Sequence, residues 1–221
     1  MKNLLFILTL LVSVNTFADG HVKPADGAFT TLNVAAKDID KYVGFLKSNS
    51  DAFKAIGSSD AGVCVTRSGN DYPGELMVWN AFPSVEAAMT GSLKYDPYKA
   101  GGQITKLREL KHSAIWKSLK SFRLEPGHEV VARVKVKQDH MDEYMQLNEE
   151  FPIYEGQKMS RLVKTGDNTF CYVGIWESED AIAAQRDAMI EGLDKMRHTL
   201  EEISPDLGVT DPVSGPVVIA K

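Results

Sequence analysis

Runs of basic residues, histidines at ligand spacing and long apolar segments are scarce in this sequence, and each shortage removes a class of function. Lys and Arg total 25 against 30 Asp and Glu, a formal net charge of −5, and no cluster of them gives the footprint that a phosphate backbone requires. Nucleic acid is not an expected partner. The five histidines, His21, His112, His128, His140 and His198, are scattered without HxxxH or HExxH spacing, so no metal is expected. No glycine-rich phosphate loop follows a strand. Gly101-Gly102-Gln103 lacks the P-loop lysine, and no serine or cysteine stands in a nucleophile elbow. No cofactor is expected on these grounds.

The one long apolar stretch is at the start, and it is too short to span a bilayer. Lys2, then LLFILTLLVSV from Leu4, then the small residues Thr16 and Ala18 have the three zones of a bacterial-type secretory signal, so residues 1–18 are read as a signal peptide. The expected location is periplasmic or secreted, with no membrane association after cleavage. Cysteine is sparse too. Cys64 and Cys171 are the only two, and they do not occupy matched positions, which favours two buried free thiols over a bridge.

What the sequence does contain is the same pattern twice. GELMVWNAFPSVEAAM from Gly74 is echoed by FCYVGIWESEDAIAA from Phe170, a strand ending in tryptophan and then a serine-led alanine-rich helix. Upstream, LNV and DKYVGFL at Leu32 and Asp40 are echoed by VKV and DEYMQLN at Val134 and Asp142. A spacing of about one hundred residues is too long for a solenoid repeat and suits two whole domains, 19–125 and 126–221.

Each copy reads as strand-helix-strand-strand-helix-strand, the ferredoxin-like order, so the fold class is α+β. The first copy has a strand at TTLNVA, a helix from Lys37 to about Ile56, strands at VCVTR and ELMVW, and a helix capped by Ser84. DPYKAGG breaks that helix and QITKLRELKHSAIWKSL reads as its helical continuation, with SFRLEP as the closing strand. The second copy has strands at EVVARVKVK, SRLVKTG and TFCYVGIW, a helix that Asp139 can cap, a long helix from Glu179 to about Ile203, and GPVVIA as the last strand. A sheet with helices on one face leaves the other bare, and two such sheets can cover each other within one chain.

Period-two alternation sorts the side chains. On this reading Glu75, Met77 and Trp79 face the partner sheet, as do Phe29, Thr31 and Asn33, with Val131, Arg133 and Lys135 in the positions that match the latter three. Phe170, Tyr172, Gly174 and Trp176 are assigned to the same space, and Cys171, Val173 and Ile175 to the helix side. Arg133 and Lys135 suit a wet mouth. Asn33 suits a cavity.

The strand ending in tryptophan, the Pro-Ser or Glu-Ser helix start and the terminal TDPVSGPVV resemble the antibiotic biosynthesis monooxygenase family of the dimeric α/β barrel superfamily. The resemblance covers nearly all of the second copy and, more loosely, the first. It implies an intrachain barrel around an apolar pocket, formed by a monomer or within a homodimer. It also implies a cofactor-independent monooxygenase acting on a small phenolic or quinol-type substrate. The candidate ligand-binding residues are Asn33, Trp79, His112, Tyr172 and Trp176. A non-catalytic binding protein for a small apolar or aromatic molecule is the alternative. A haem-binding or haem-degrading protein is a further one, for which Asn33 fits the first-strand position while Gln185 and Lys195 stand where that branch has a tryptophan and a histidine.

Overall fold

The computed structural model describes residues 22–23, 27–67, 70–123, 127–202 and 214–220. The expected signal peptide lies outside the described residues, as does His21. Chain order runs β1 (Val22–Lys23), β2 (Ala28–Ala36), α1 (Ile39–Ser48), α2 (Asp51–Ala55), β3 (Asp60–Val65), β4 (Glu75–Phe82), α3 (Val85–Lys94), α4 (Gln103–Leu107) and β5 (Arg108–Ser118). It continues with β6 (Phe122–Arg123), β7 (His128–Val136), α5 (Met141–Glu149), β8 (Gln157–Lys164), β9 (Thr169–Trp176), α6 (Glu179–Met196), β10 (Leu200–Glu202) and β11 (Ser214–Ala220). Three helices start where a side-chain oxygen takes up an otherwise unpaired amide: Asp38 for Lys41 N–H at 3.0 Å, Ser84 for Ala87 N–H and Ser178 for Ala181 N–H, both at 3.1 Å.

Nine strands form one antiparallel sheet in the order β10-β7-β9-β8-β5-β2-β4-β3-β11. Within it, β5-β2-β4-β3 and β10-β7-β9-β8 have the same strand order, that of the ferredoxin-like fold. The halves join through β5 and β8, where Lys117 lies opposite Lys164 and Ser118 opposite Val163. They also pack face to face. One core contains Phe29, Cys64, Trp79, Ala81 and Trp116 from the first half with Val163, Cys171, Val173 and Ile175 from the second. The helices lie on the outer faces over separate cores, such as Val34, Tyr42, Leu76 and Val78 in the first half and Val134, Tyr144, Leu162 and Phe170 in the second.

Four expectations need correction. The helix read across Gln103–Leu119 is a five-residue helix, α4, followed by the eleven-residue strand β5. A bulge explains the misreading. Asn33 pairs with His112 but Val34 with Leu110, so Lys111 is an extra residue that shifts the alternation by one. Leu110 and Ile115 both face helices while Ala114 and Trp116 face the other half, which imitates helical spacing in the sequence. The closing strand of the first half is therefore β5, and Phe122–Arg123 pairs with Val22–Lys23 instead.

In the second half, α6 ends at Met196 and the short β10 closes the unit against β7. GPVVIA crosses to the first half and pairs antiparallel with β3, Val217 opposite Val63 and Ala220 opposite Ala61. The first long helix is interrupted at Asn49.

The fourth correction concerns side-chain direction. Cys171, Val173 and Ile175 face the first half, whereas Phe170, Tyr172 and Trp176 lie beneath α5 and α6. Ala28 pairs with Phe82 and His128 with Trp176, so the counterpart of Trp176 is Phe82, and that of Trp79 is Val173. Matching tryptophan to tryptophan shifts the two copies by three residues. An odd shift exchanges the faces of a strand.

Candidate functional site

The space between the two half-sheets has an apolar centre and a polar end. At the centre, Trp79 meets Phe29 edge to face, with ring centroids 6.0 Å apart at 78°, and its indole lies across Gly62, where even a Cβ would come within 2.4 Å of the ring. Trp116 donates its Nε1 hydrogen to Thr31 Oγ1 at 2.9 Å. Side chains fill this region.

At the polar end the register of β2, β4 and β5 sets Asn33 between Met77 and His112. Asn33 Oδ1 is buried and accepts no hydrogen bond. A buried amide oxygen without a donor costs about 1–3 kcal/mol, so it marks a place where a ligand or water would be held. Arg133 reaches across from β7, its guanidinium 5.7 Å from the Trp116 ring centroid. Glu75, two residues before Met77 on the same face of β4, accepts the Asp71 N–H at 2.8 Å. Burial lifts the Glu75 carboxyl above its ordinary range; the Asp71 N–H bond and Arg133 oppose this and the Asp71 carboxylate adds to it. Tyr72, whose hydroxyl is also buried without a partner, is pushed up to about 12 by burial, then by Glu75 and Asp71. Lys111, the bulged residue, sets its ammonium 5.3 Å from the Tyr72 ring centroid. The mouth thus joins a carboxyl of raised pKa, a guanidinium and an unpaired amide beside an apolar wall of Met77 and Trp116. Such a set can take a proton from a hydroxyl and hold the resulting anion.

Deeper between the halves lies a charged group that the sequence pattern does not reveal. Glu129 Oε1 accepts from Arg161 Nη2 at 3.3 Å, and Glu129 Oε2 accepts from the Cys64 thiol at 3.3 Å. Glu129 is only 1% exposed. Burial, and then the Glu129 carboxylate, push the Cys64 thiol well above its ordinary value, so it is a hydrogen-bond donor here and not a thiolate nucleophile. Both cysteines are free and buried.

Of the five residues singled out from sequence, Asn33, Trp79 and His112 share the inner face of the first half, with Trp79 in the packed centre and His112 exposed at the mouth. Tyr172 and Trp176 do not join them. Tyr172 OH accepts from Gln157 Nε2 at 2.7 Å and its ring packs on Phe151, while Trp176 stacks on Tyr154 with centroids 6.2 Å apart at 16°. Both stand on the helix side, as the three-residue offset requires. Lys135 is exposed and pairs with Glu201 at 3.3 Å. Lys195, on α6, is exposed and pairs with Glu191 at 3.3 Å. Since α6 covers the outer face, Gln185 and Lys195 do not reach the inner space, and the haem-degrading set is not assembled. Glu75 and Arg133 become visible as a pair only once the half-sheets face each other. Their sequence signal is a charge at an inward strand position.

The chain matches no protein-family model and no curated protein. Solved structures do resemble it. A provisionally assigned monooxygenase from Fusobacterium nucleatum superposes with a TM-score of 0.55 at 14% identity, covering 88% of this chain and 93% of that one. An anthrone oxidase-like protein gives 0.55 at 12% identity, covering 89% and 93%. A chlorite dismutase variant from Candidatus Nitrospira defluvii gives 0.57 at 10% identity, covering 87% and 91%. At these identities the likeness is one of fold.

Proposed function

We propose that this chain is an exported relative of the antibiotic biosynthesis monooxygenases, in which domains 19–125 and 126–221 form a dimeric α/β barrel within one polypeptide. On this reading it oxidises a small phenolic or quinol-type molecule at the polar mouth of the barrel. The observation that carries the proposal is the buried, unpaired Asn33 Oδ1 beside Met77, at the end of the inter-sheet space where the Arg133 charge acts on Glu75.

The chemistry follows from those groups. Asn33 Oδ1 accepts from a water whose other hydrogen bonds the substrate oxygen, and Met77 and Trp116 line the flat ring. Glu75, its carboxylate made more basic by burial, removes the hydroxyl proton, and Arg133 stabilises the phenolate. An electron-rich phenolate gives one electron to dioxygen, and radical and superoxide then combine at carbon to form a hydroperoxide. Loss of water leaves a ketone. For a methylene flanked by aromatic rings the balance is R2CH2 + O2 → R2CO + H2O. The carbon gives up four electrons, one oxygen enters the carbonyl and the other leaves in water. The proton that Glu75 takes returns to the peroxide anion formed on that combination, so none is released overall.

Anthrone is a suitable probe. Protein treated with chelator should consume one O2 per anthraquinone formed, and Asn33→Ala and Glu75→Gln should each lower the rate at least tenfold, the low end of an acid–base contribution being about a hundredfold. No oxygen uptake above the buffer rate would refute oxidation. A second reading, binding without turnover, draws on the filled centre, since the wet mouth gives a radical intermediate little protection from water. It predicts saturable quenching of tryptophan fluorescence by anthraquinone, abolished by Asn33→Ala, with no oxygen uptake.

A further inference from the structure

We propose that His140, Glu143 and His198 form a binding site for a divalent first-row transition metal of the zinc type. The site lies on the outer surface of the second half and is separate from the mouth. His140, the residue before α5, and Glu143, in its first turn, are three residues apart and their side chains meet. His198 arrives from the turn that follows α6, 55 positions from Glu143 in the chain. The three side chains converge. His140 Nδ1 lies 2.8 Å from one Glu143 oxygen, His198 Nε2 lies 2.9 Å from the other, and the three candidate ligand atoms all fall within 4.8 Å of one another.

Two imidazoles and a carboxylate are a recognised zinc set that leaves the fourth position to water. Bonds of about 2.0–2.1 Å in a tetrahedron hold ligand atoms about 3.3 Å apart, so the two histidine–carboxylate contacts must open by about half an ångström and a pair at the 4.8 Å limit must close by about 1.5 Å. All three side chains are partly or fully exposed and can move that far. The other His140 nitrogen, Nε2, lies 3.9 Å from Asp139 Oδ2, so the exposed carboxylate must close by about an ångström to orient the ring as outer carboxylates do around ligating histidines. Lys137 fixes the turn by donating to the His198 carbonyl at 2.7 Å, and its charge opposes a cation there. Two nitrogen donors select against calcium and magnesium, which prefer all-oxygen sites. A bound ion would clasp the start of α5 to the turn that leads into the edge strand β10.

The full-length chain, stripped with chelator and titrated with ZnCl2 by calorimetry, should bind one zinc, and CoCl2 should give the visible bands of a four-coordinate ion. His140→Ala and His198→Ala should each weaken zinc binding at least tenfold and remove the upward shift in melting temperature that zinc confers on the parent. Replacement of His128, which lies 3.7 Å from Glu179 at another place, should leave binding unchanged. Absence of zinc binding in the parent, or binding that survives both histidine replacements, overturns the proposal.

Discussion

Replacing Arg161 by methionine should cost about 3–5 kcal/mol, because it strands the Glu129 carboxylate between the half-sheets. The magnitude follows from the geometry. The two charges lie 3.3 Å apart, with side chains 8% and 1% exposed. At an effective dielectric constant of about 20 their attraction is about 5 kcal/mol. Water cannot take over when the guanidinium goes, and the Cys64 thiol at 3.3 Å is a weak donor. A domain holds only about 5–15 kcal/mol in total, so this one change should consume a large part of it. Replacing both partners, Glu129→Leu with Arg161→Met, removes the desolvation cost together with the attraction and should return stability to within about 1 kcal/mol of the parent or above it. Guanidinium unfolding followed by tryptophan fluorescence is the assay, since Trp79 and Trp116 lie in the same core. A loss under about 0.5 kcal/mol for Arg161→Met would mean that Glu129 reaches water, as an ordinary surface change does, and that the half-sheets do not close over it.

Three further outcomes test other parts of the structure. Gly62→Ala should lower stability by about 1–3 kcal/mol through overpacking, since its Cβ would come within 2.4 Å of the Trp79 ring, whereas Gly101→Ala, with nothing within 4 Å, should melt like the parent; equal melting curves for the two would remove Trp79 from Gly62. A thiol reagent should find no reactive cysteine in the folded chain and two after denaturation, and prompt labelling without denaturant would show that Cys64 or Cys171 is accessible. Burial raises the Tyr42 phenol from 10.0 to about 12, so its neutral form is favoured in the folded state; that stability is complete below pH 10 and is lost as pH rises toward 12, and ultraviolet titration should show Tyr42 resisting ionisation until the chain unfolds.

Much of the fold is legible in the sequence because caps and alternation are local. Ser84 and Ser178 mark two helix starts by their own hydrogen bonds, and Leu76 and Val78 alternate with Met77 and Trp79 as their faces require. The bulge at Lys111 defeats the same logic, for one inserted residue turns a period-two strand into a spacing that passes for a helix. The inner and outer faces of β9 are both apolar, so alternation separates them without saying which is which. Counting from the capping serines, not from the tryptophans, would have placed Trp176 beneath α6. Asn33 emerges from strand position alone, whereas His112 reaches the mouth only because the segment that reads as a helix is the strand β5, and the effect of Arg133 on Glu75 and the Glu129–Arg161–Cys64 group arise between segments far apart in sequence, where no spacing rule applies.

The attachment of β11 to β3 bears on how the molecule is made. The residues that cover the outer edge of the first half follow the whole second half in the chain, so β3 must wait with its backbone amides and carbonyls open while the intervening chain is synthesised. Such a late, long-range closure makes folding slow, and it gives a truncated or stalled chain a sticky border on which a neighbouring copy can dock its own tail.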